Sequence, residues 1–347
     1  MERERMRYID AVRTQGKSLR ASRTAVTDRL RSLDLTPWRQ RRLALVGMGA
    51  SSNAISAALP GYWAVGLAAT SWAGSEFGLA GAAAGAEAVI AVSQTGKSAE
   101  VYAALQDTGC PRLVVTDVED SPLAGLAEAV VPLSLLPDSN VRTIGYTGTI
   151  QALGLLRDAV AGRERTASAD QTWEDAADGL EALLPAAEEL AEGLLPRLRG
   201  VTAFDVVGSG VHAGTALQGA LLLREVCKLP ATGYETYQYL HGPVEAAAAG
   251  RVVVAIGGPR EAKLAADLAA AGSTVLLVEA SASAPAGEVM SCGGPGIPAT
   301  FAVTAAEQLA QAVLAILPLQ AITWQLAEDL GLPDGEFRYH QDDTKVG

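Results

Sequence analysis

The same arrangement of residues occurs twice in this chain, and that repetition limits its fold more than any other feature. Residues 43–59, LALVGMGASSNAISAAL, pass from an apolar run through a G-x-G turn into an alanine-rich helical stretch. Residues 203–223, AFDVVGSGVHAGTALQGALLL, do the same. The order then continues in parallel. AVIAVSQTGKSAEVYAAL (88–105) matches RVVVAIGGPREAKLAADL (251–268), and PRLVVTD (111–117) matches STVLLVE (273–279). Short strands that are apolar on both faces and alternate with helices imply parallel sheets covered by helices. The chain is therefore predicted to be a duplicated α/β protein, each half a parallel sheet flanked by helices in a flavodoxin- or Rossmann-like three-layer sandwich. The boundaries expected are a helical segment over 1–38, a first domain over 39–160, a linker and long helix over 161–199, a second domain over 200–331, and a tail over 332–347. The long helix, TWEDAADGLEALLPAAEELAEGLLPRLRG, is expected to break at Pro185, where the ring removes a helical hydrogen bond.

A length of 347 residues, with 49% hydrophobic and 19% charged, suits two packed cores and excludes a disordered chain. The net charge of −12 argues against nucleic acid, whose binding rests on Lys and Arg neutralising phosphates. Three widely spaced cysteines, Cys110, Cys227 and Cys292, form no metal-ligand pattern, so no metal site is expected and the thiols read as reduced. The N-terminus, MERERMRYIDAVRTQ, has no apolar core of the signal-peptide kind. The apolar segment 309–330 carries three glutamines and Pro318, and reads as a packed helix, not a membrane span. A cytoplasmic protein is expected, with no membrane partner.

The first copy's second turn, SQTGKS (93–98), carries more polar groups than a turn requires. Ser93, Thr95 and Ser98 offer hydroxyls, Gln94 offers an amide, and Gly96 lets the backbone come close. Where a strand ends and a helix begins, such donors join the free N–H groups of the helix N-terminus, a combination that binds phosphate. The alternative is a polar N-cap with no ligand. A cap needs one such residue, and the equivalent turn of the second copy, IGGPREAK, has no hydroxyl, which favours phosphate. The G-x-G pairs Gly47/Gly49 and Gly208/Gly210 do not complete a dinucleotide fingerprint and read as tight strand–helix packing.

On these residues the chain resembles the sugar isomerase (SIS) family, in particular the two-domain isomerase half of glucosamine-6-phosphate synthase and its stand-alone relatives, aminosugar-phosphate deaminases and fructosamine-6-phosphate deglycases. SQTGKSAE is similar to the family's phosphate loop and VGMGASSNA to its G-x-G-x-S opening, which adds Gly49 and Ser51 to the candidate substrate-binding set. LLLREVCKLPATGYETYQYLHGP (221–243) resembles the family's K-E…H-G-P segment, and ILPLQAITWQLAEDLG its closing helix. The resemblance implies two tandem SIS domains, a sugar-phosphate substrate, no cofactor, and a homodimer.

It also implies catalytic roles. Glu225 ends an apolar helical run and matches the family's base, which moves a proton between two sugar carbons through an enediol or enolamine. Read from its neighbours alone, it either pairs with Arg224 or Lys228 on a solvated face or, desolvated, becomes a stronger base. His241 matches the histidine that assists ring opening from the neighbouring subunit. Lys345 matches the lysine of a tail that closes the site. His212 and His340 have no comparable support. Leu222 stands where the synthases carry a lysine, Ala50 replaces a hydroxyl, and VRTIGYTGT (141–149) only loosely resembles the synthase sequence. With no glutaminase segment and no N-terminal cysteine, ammonia transfer from glutamine is not expected. The expected activity is isomerisation, deamination or deglycation of a sugar phosphate; the alternative is a non-catalytic phosphosugar-binding regulator.

Overall fold

The computed structural model describes residues 6–163, 167–283, 289–339 and 341–346. The chain divides into two compact units that interleave along the sequence. One comprises Lys17–Leu136, Ile144–Trp173 and the segment from Phe337 onward; the other comprises the residues up to Gly16, Pro137–Thr143 and Glu174–Glu336.

Helices α1 (Tyr8–Arg13) and α2 (Gln15–Ser32) precede the first α/β half, which runs β1 (Leu43–Gly47), α3 (Ala50–Ala64), β2 (Ala69–Ala73), α4 (Gly74–Ala80), β3 (Ala88–Val92), α5 (Ala99–Gln106), β4 (Arg112–Thr116), β5 (Ala129–Pro132) and α6 (Ile144–Val160). All pairings in its sheet are parallel, in the order β2-β1-β3-β4-β5. Every residue of β1 and β3 is buried, as central strands covered on both faces must be.

Helix α7 (Ala167–Leu198) leads to the second half: β6 (Ala203–Gly208), α8 (Val211–Glu225), β7 (Ala231–Glu235), α9 (Thr236–Leu240), β8 (Arg251–Gly257), α10 (Pro259–Ala270), β9 (Thr274–Ser281), β10 (Met290–Ser291), β11 (Ala299–Thr304), α11 (Gln308–Ala315) and α12 (Leu317–Asp329). Its sheet order is β10-β11-β9-β8-β6-β7. Apart from the short antiparallel edge strand β10, this is the first sheet's order again. The duplication extends to single dihedrals. Gly49 before α3 has φ +53° and ψ −128°, and Gly210 before α8 has φ +57° and ψ −126°, a conformation that side chains rarely tolerate.

The break expected at Pro185 is absent: α7 continues through both Pro185 and Pro196. Pro185 is exposed, so water can solvate the carbonyl that loses its partner. Buried Trp173, Leu180, Leu190 and Leu194 anchor the helix on both sides. The apolar segment 309–330 is the packed helix expected, divided at Ile316; 89% of its most apolar window is buried within the protein.

Candidate active site

In an open parallel sheet, ligands bind beyond the carboxyl ends of the strands, at the point where the strand order reverses. In the first sheet that point lies between β1 and β3, where Gly47 stands opposite Val92. Two of the predicted segments start there: Gly49 and Ser51 open α3 after β1, and the 93–98 loop follows β3.

The loop is tightly built. Ser93 and Ser98 are buried, with hydroxyl oxygens 3.0 Å apart. The Gln94 carbonyl accepts from the Asp117 amide at 2.9 Å and from Thr116 Oγ1 at 3.3 Å, and its side chain packs on Gly145 so closely that a Cβ there would lie 2.5 Å from Oε1. Gly96 has φ +63°, and a Cβ would lie 1.9 Å from Ser121 Oγ, so only glycine fits. Ser98 is the N-cap of α5 but its side chain caps no amide. The amides of Thr95 and Lys97 have no backbone acceptor among the described residues. Buried hydroxyls, uncapped helix amides and free loop amides thus gather at one end of the sheet, an arrangement able to hold an anion.

The tail returns to this loop. Lys345 pairs with Ser98 in an isolated antiparallel bridge, and the Val346 amide donates to the Lys97 carbonyl at 2.9 Å. The Lys345 side chain is exposed. His340 lies outside the described residues.

Glu225 belongs to the other unit, as the last residue of α8. Burial pushes its carboxyl up to about 7, against the opposing pull of Arg224, Lys228 and Arg142. A helix C-terminus, with its partial negative charge, acts in the same direction as burial. Neighbouring Cys227 is pushed up to about 12 by burial, and its thiol donates to the Thr323 carbonyl at 3.2 Å. Lys228, in the left-handed region at φ +57°, ties the turn by donating to the Glu225 and Glu336 carbonyls. Such a carboxyl is half ionised near neutral pH, where a general base works best. Leu222, one turn earlier, is fully buried and faces the core.

His241 is exposed, directly after α9 and before Gly242 at φ +145°. It makes no hydrogen bond to Glu225 among the described residues.

Two neighbours of Glu225 were not singled out from the sequence. Arg142 donates to the Ser139 carbonyl at 3.1 Å, and its charge acts on the Glu225 carboxyl. It lies in the 141–149 stretch, whose loose resemblance was the only available signal. Tyr8 is buried, its hydroxyl has no hydrogen-bond partner among the described residues, and burial together with the charges of Cys227, Asp138, Glu225 and Asp334 pushes its ionisation well above the usual range. Its amide donates to Asp334 Oδ2 at 3.1 Å. No local pattern connects a residue in the first helix with one 217 positions later.

No protein-family model matches the chain. Over 269 residues it is 27% identical to the glutamine–fructose-6-phosphate aminotransferase (isomerizing) of Nostoc sp., a match covering 70% of this chain and 42% of that one. The matched stretch is thus under half the length of this curated relative. Among solved structures, tagatose-6-phosphate ketose/aldose isomerase from Escherichia coli superposes with a TM-score of 0.71 at 19% identity, covering 96% of each chain. Glucosamine-6-phosphate deaminase from Thermotoga maritima superposes with a TM-score of 0.69 at 20% identity, covering 95% of this chain and 99% of that one. The fold is that of the SIS phosphosugar isomerases. The chain is thus similar in sequence to part of the isomerising aminotransferases and shares its fold with solved phosphosugar isomerases.

Proposed function

We propose that the protein is a phosphosugar isomerase or an aminosugar-phosphate deaminase or deglycase. It would act on a sugar 6-phosphate bearing an amine or amine adduct, through an enediol or enolamine. In this reading Ser93, Gln94, Thr95, Gly96 and Ser98, with Gly49 and Ser51, receive the phosphate and sugar. Glu225 takes and returns the proton, His241 of a second subunit assists ring opening, and Lys345 closes the site. The same reading makes the protein a cytoplasmic homodimer that needs no cofactor.

The observation that carries the proposal is Glu225. A carboxyl at an apolar helix end, held up to about 7, is built to exchange a proton at neutral pH and is costly to keep as a surface charge. The relatives support the substrate class: one is named for an isomerising transfer to fructose-6-phosphate, and two fold neighbours for reactions of sugar 6-phosphates.

The test is a thermal-shift panel of aldose, ketose and amino-sugar 6-phosphates beside their unphosphorylated forms. A ligand stabilises by RT ln(1 + [L]/Kd), so millimolar ligand reveals micromolar affinity. A shift that requires the phosphate group supports the reading, and a flat panel contradicts it. Binding without any turnover would select the regulator instead, a role compatible with Leu222 in place of the synthases' lysine.

A further inference from the structure

The crevice of the first half has a counterpart in the second, between β6 and β8, where Gly208 stands opposite Ile256. Its contents differ. The first half places a six-residue loop between β3 and α5, whereas in the second Gly258 follows β8 directly and is the N-cap of α10. Glu261, in the first turn of α10, is only 2% exposed and turns its carboxylate back over the helix N-terminus. Oε2 accepts from the Gly258 amide at 3.1 Å. Oε1 accepts from Ser209 Oγ at 2.9 Å and from Thr236 Oγ1 at 2.6 Å. These three donors come from the turns after β8, β6 and β7, so every strand end around the crevice contributes one. The fit is close: a Cβ on Gly257 would lie 2.6 Å from Oε2. His212, in the first turn of α8, is 7% exposed; its ring hydrogen-bonds the Gln311 side chain, and its Nδ1 has no hydrogen-bond partner among the described residues. Burial holds its ring down to about 4, against the pull of Glu261, so at neutral pH it adds no charge that would need a second anion.

We propose that the Glu261 carboxylate is a built-in anion filling the ligand crevice of the second half. Two hydroxyls on Oε1 and a helix-terminal amide on Oε2 surround one carboxylate, and an anion satisfies all three donors. The side chain supplies it without binding entropy and leaves no room for a diffusible one. This assignment stands on the second half alone and holds whether or not the 93–98 loop receives a phosphosugar.

Replacing Glu261 by Ala removes a CH2–COO− group, the atoms of acetate, which makes acetate the matched probe and inorganic phosphate the second. Unfolding temperatures are compared for the parent, Glu261→Ala and Glu261→Gln in chloride, acetate and phosphate at one ionic strength near pH 7.5. The Thr95→Val background separates any phosphate effect of the first half. Glu261→Ala should melt several degrees below the parent in chloride and recover saturably with acetate or phosphate, in both backgrounds. Glu261→Gln, which still fills the space, should melt low and not recover. If Glu261→Ala does not fold in chloride, refolding in acetate or phosphate serves as the same measurement. An alanine variant as stable as the parent in chloride, or one that no anion restores, overturns the proposal.

Discussion

Two residues carry opposite kinds of constraint. Gly96 is fixed by geometry: its left-handed φ and the 1.9 Å approach to Ser121 leave no room for a side chain. Gly96→Ala should therefore cost roughly 2–4 kcal/mol of folding stability in chemical denaturation, from backbone strain plus a clash. A change below about 0.5 kcal/mol would contradict the geometry. Glu225 is set by its environment. Its carboxyl is held near 7 when folded, against 4.5 when unfolded, so the native state keeps a proton that the unfolded chain has released between those values. Stability through this group is highest below the unfolded value and falls as pH rises towards 7, by up to about 3 kcal/mol. Glu225→Gln should flatten that part of the profile, and matching profiles for parent and variant would place the carboxyl in an ordinary solvated setting. Under the proposed function the same substitution lowers turnover on the order of 10²–10⁴-fold while binding persists. Parental turnover rises through pH 7 as the base ionises. Thr95→Val should weaken the phosphosugar by roughly 1.5–3 kcal/mol and leave the unphosphorylated sugar unaffected, as isothermal titration can show.

At the scale of elements, α7 offers a test of why a proline was tolerated. Pro185 is exposed within a continuous helix, so Pro185→Ala restores a hydrogen bond without disturbing the core. It should raise stability by about 1–3 kcal/mol, and a loss would mean that the ring itself is packed. The strands were legible in the sequence because central parallel strands must be apolar on both faces; β3 coincides with the apolar run that precedes Ser93. The 93–98 turn stood out in the sequence because four polar donors crowd it. The continuity of α7 was not, because a local rule about proline cannot weigh the buried anchors on either side. Glu261 was missed for a related reason. IGGPREAK shows no hydroxyl, and nothing local says that Ser209 and Thr236, 52 and 25 residues earlier, donate to its glutamate. Tyr8 and Arg142 beside Glu225 are likewise products of tertiary folding.

For the molecule as a whole, the duplication built two copies of one crevice and left them unequal, one lined by donors and the other filled by Glu261. If each site takes Glu225 from one chain and His241 from the other, mixing Glu225→Gln with His241→Ala chains yields hybrids in about half the dimers, each with one intact site. Activity should recover to about one quarter of the parent, and confirmed subunit exchange without recovery would confine the site to a single chain. The central claim, proton transfer at a sugar-phosphate carbon by Glu225, is most directly tested by proton NMR in D2O. The parent protein is incubated with those 6-phosphates that raise its unfolding temperature. An enediol or enolamine exposes the carbon-bound hydrogen to solvent whichever net reaction follows. Deuterium should enter at C1 or C2 with the parent, and its incorporation should fall by at least 100-fold with Glu225→Gln. A bound sugar phosphate that gains no deuterium, or equal incorporation by the variant, would contradict it.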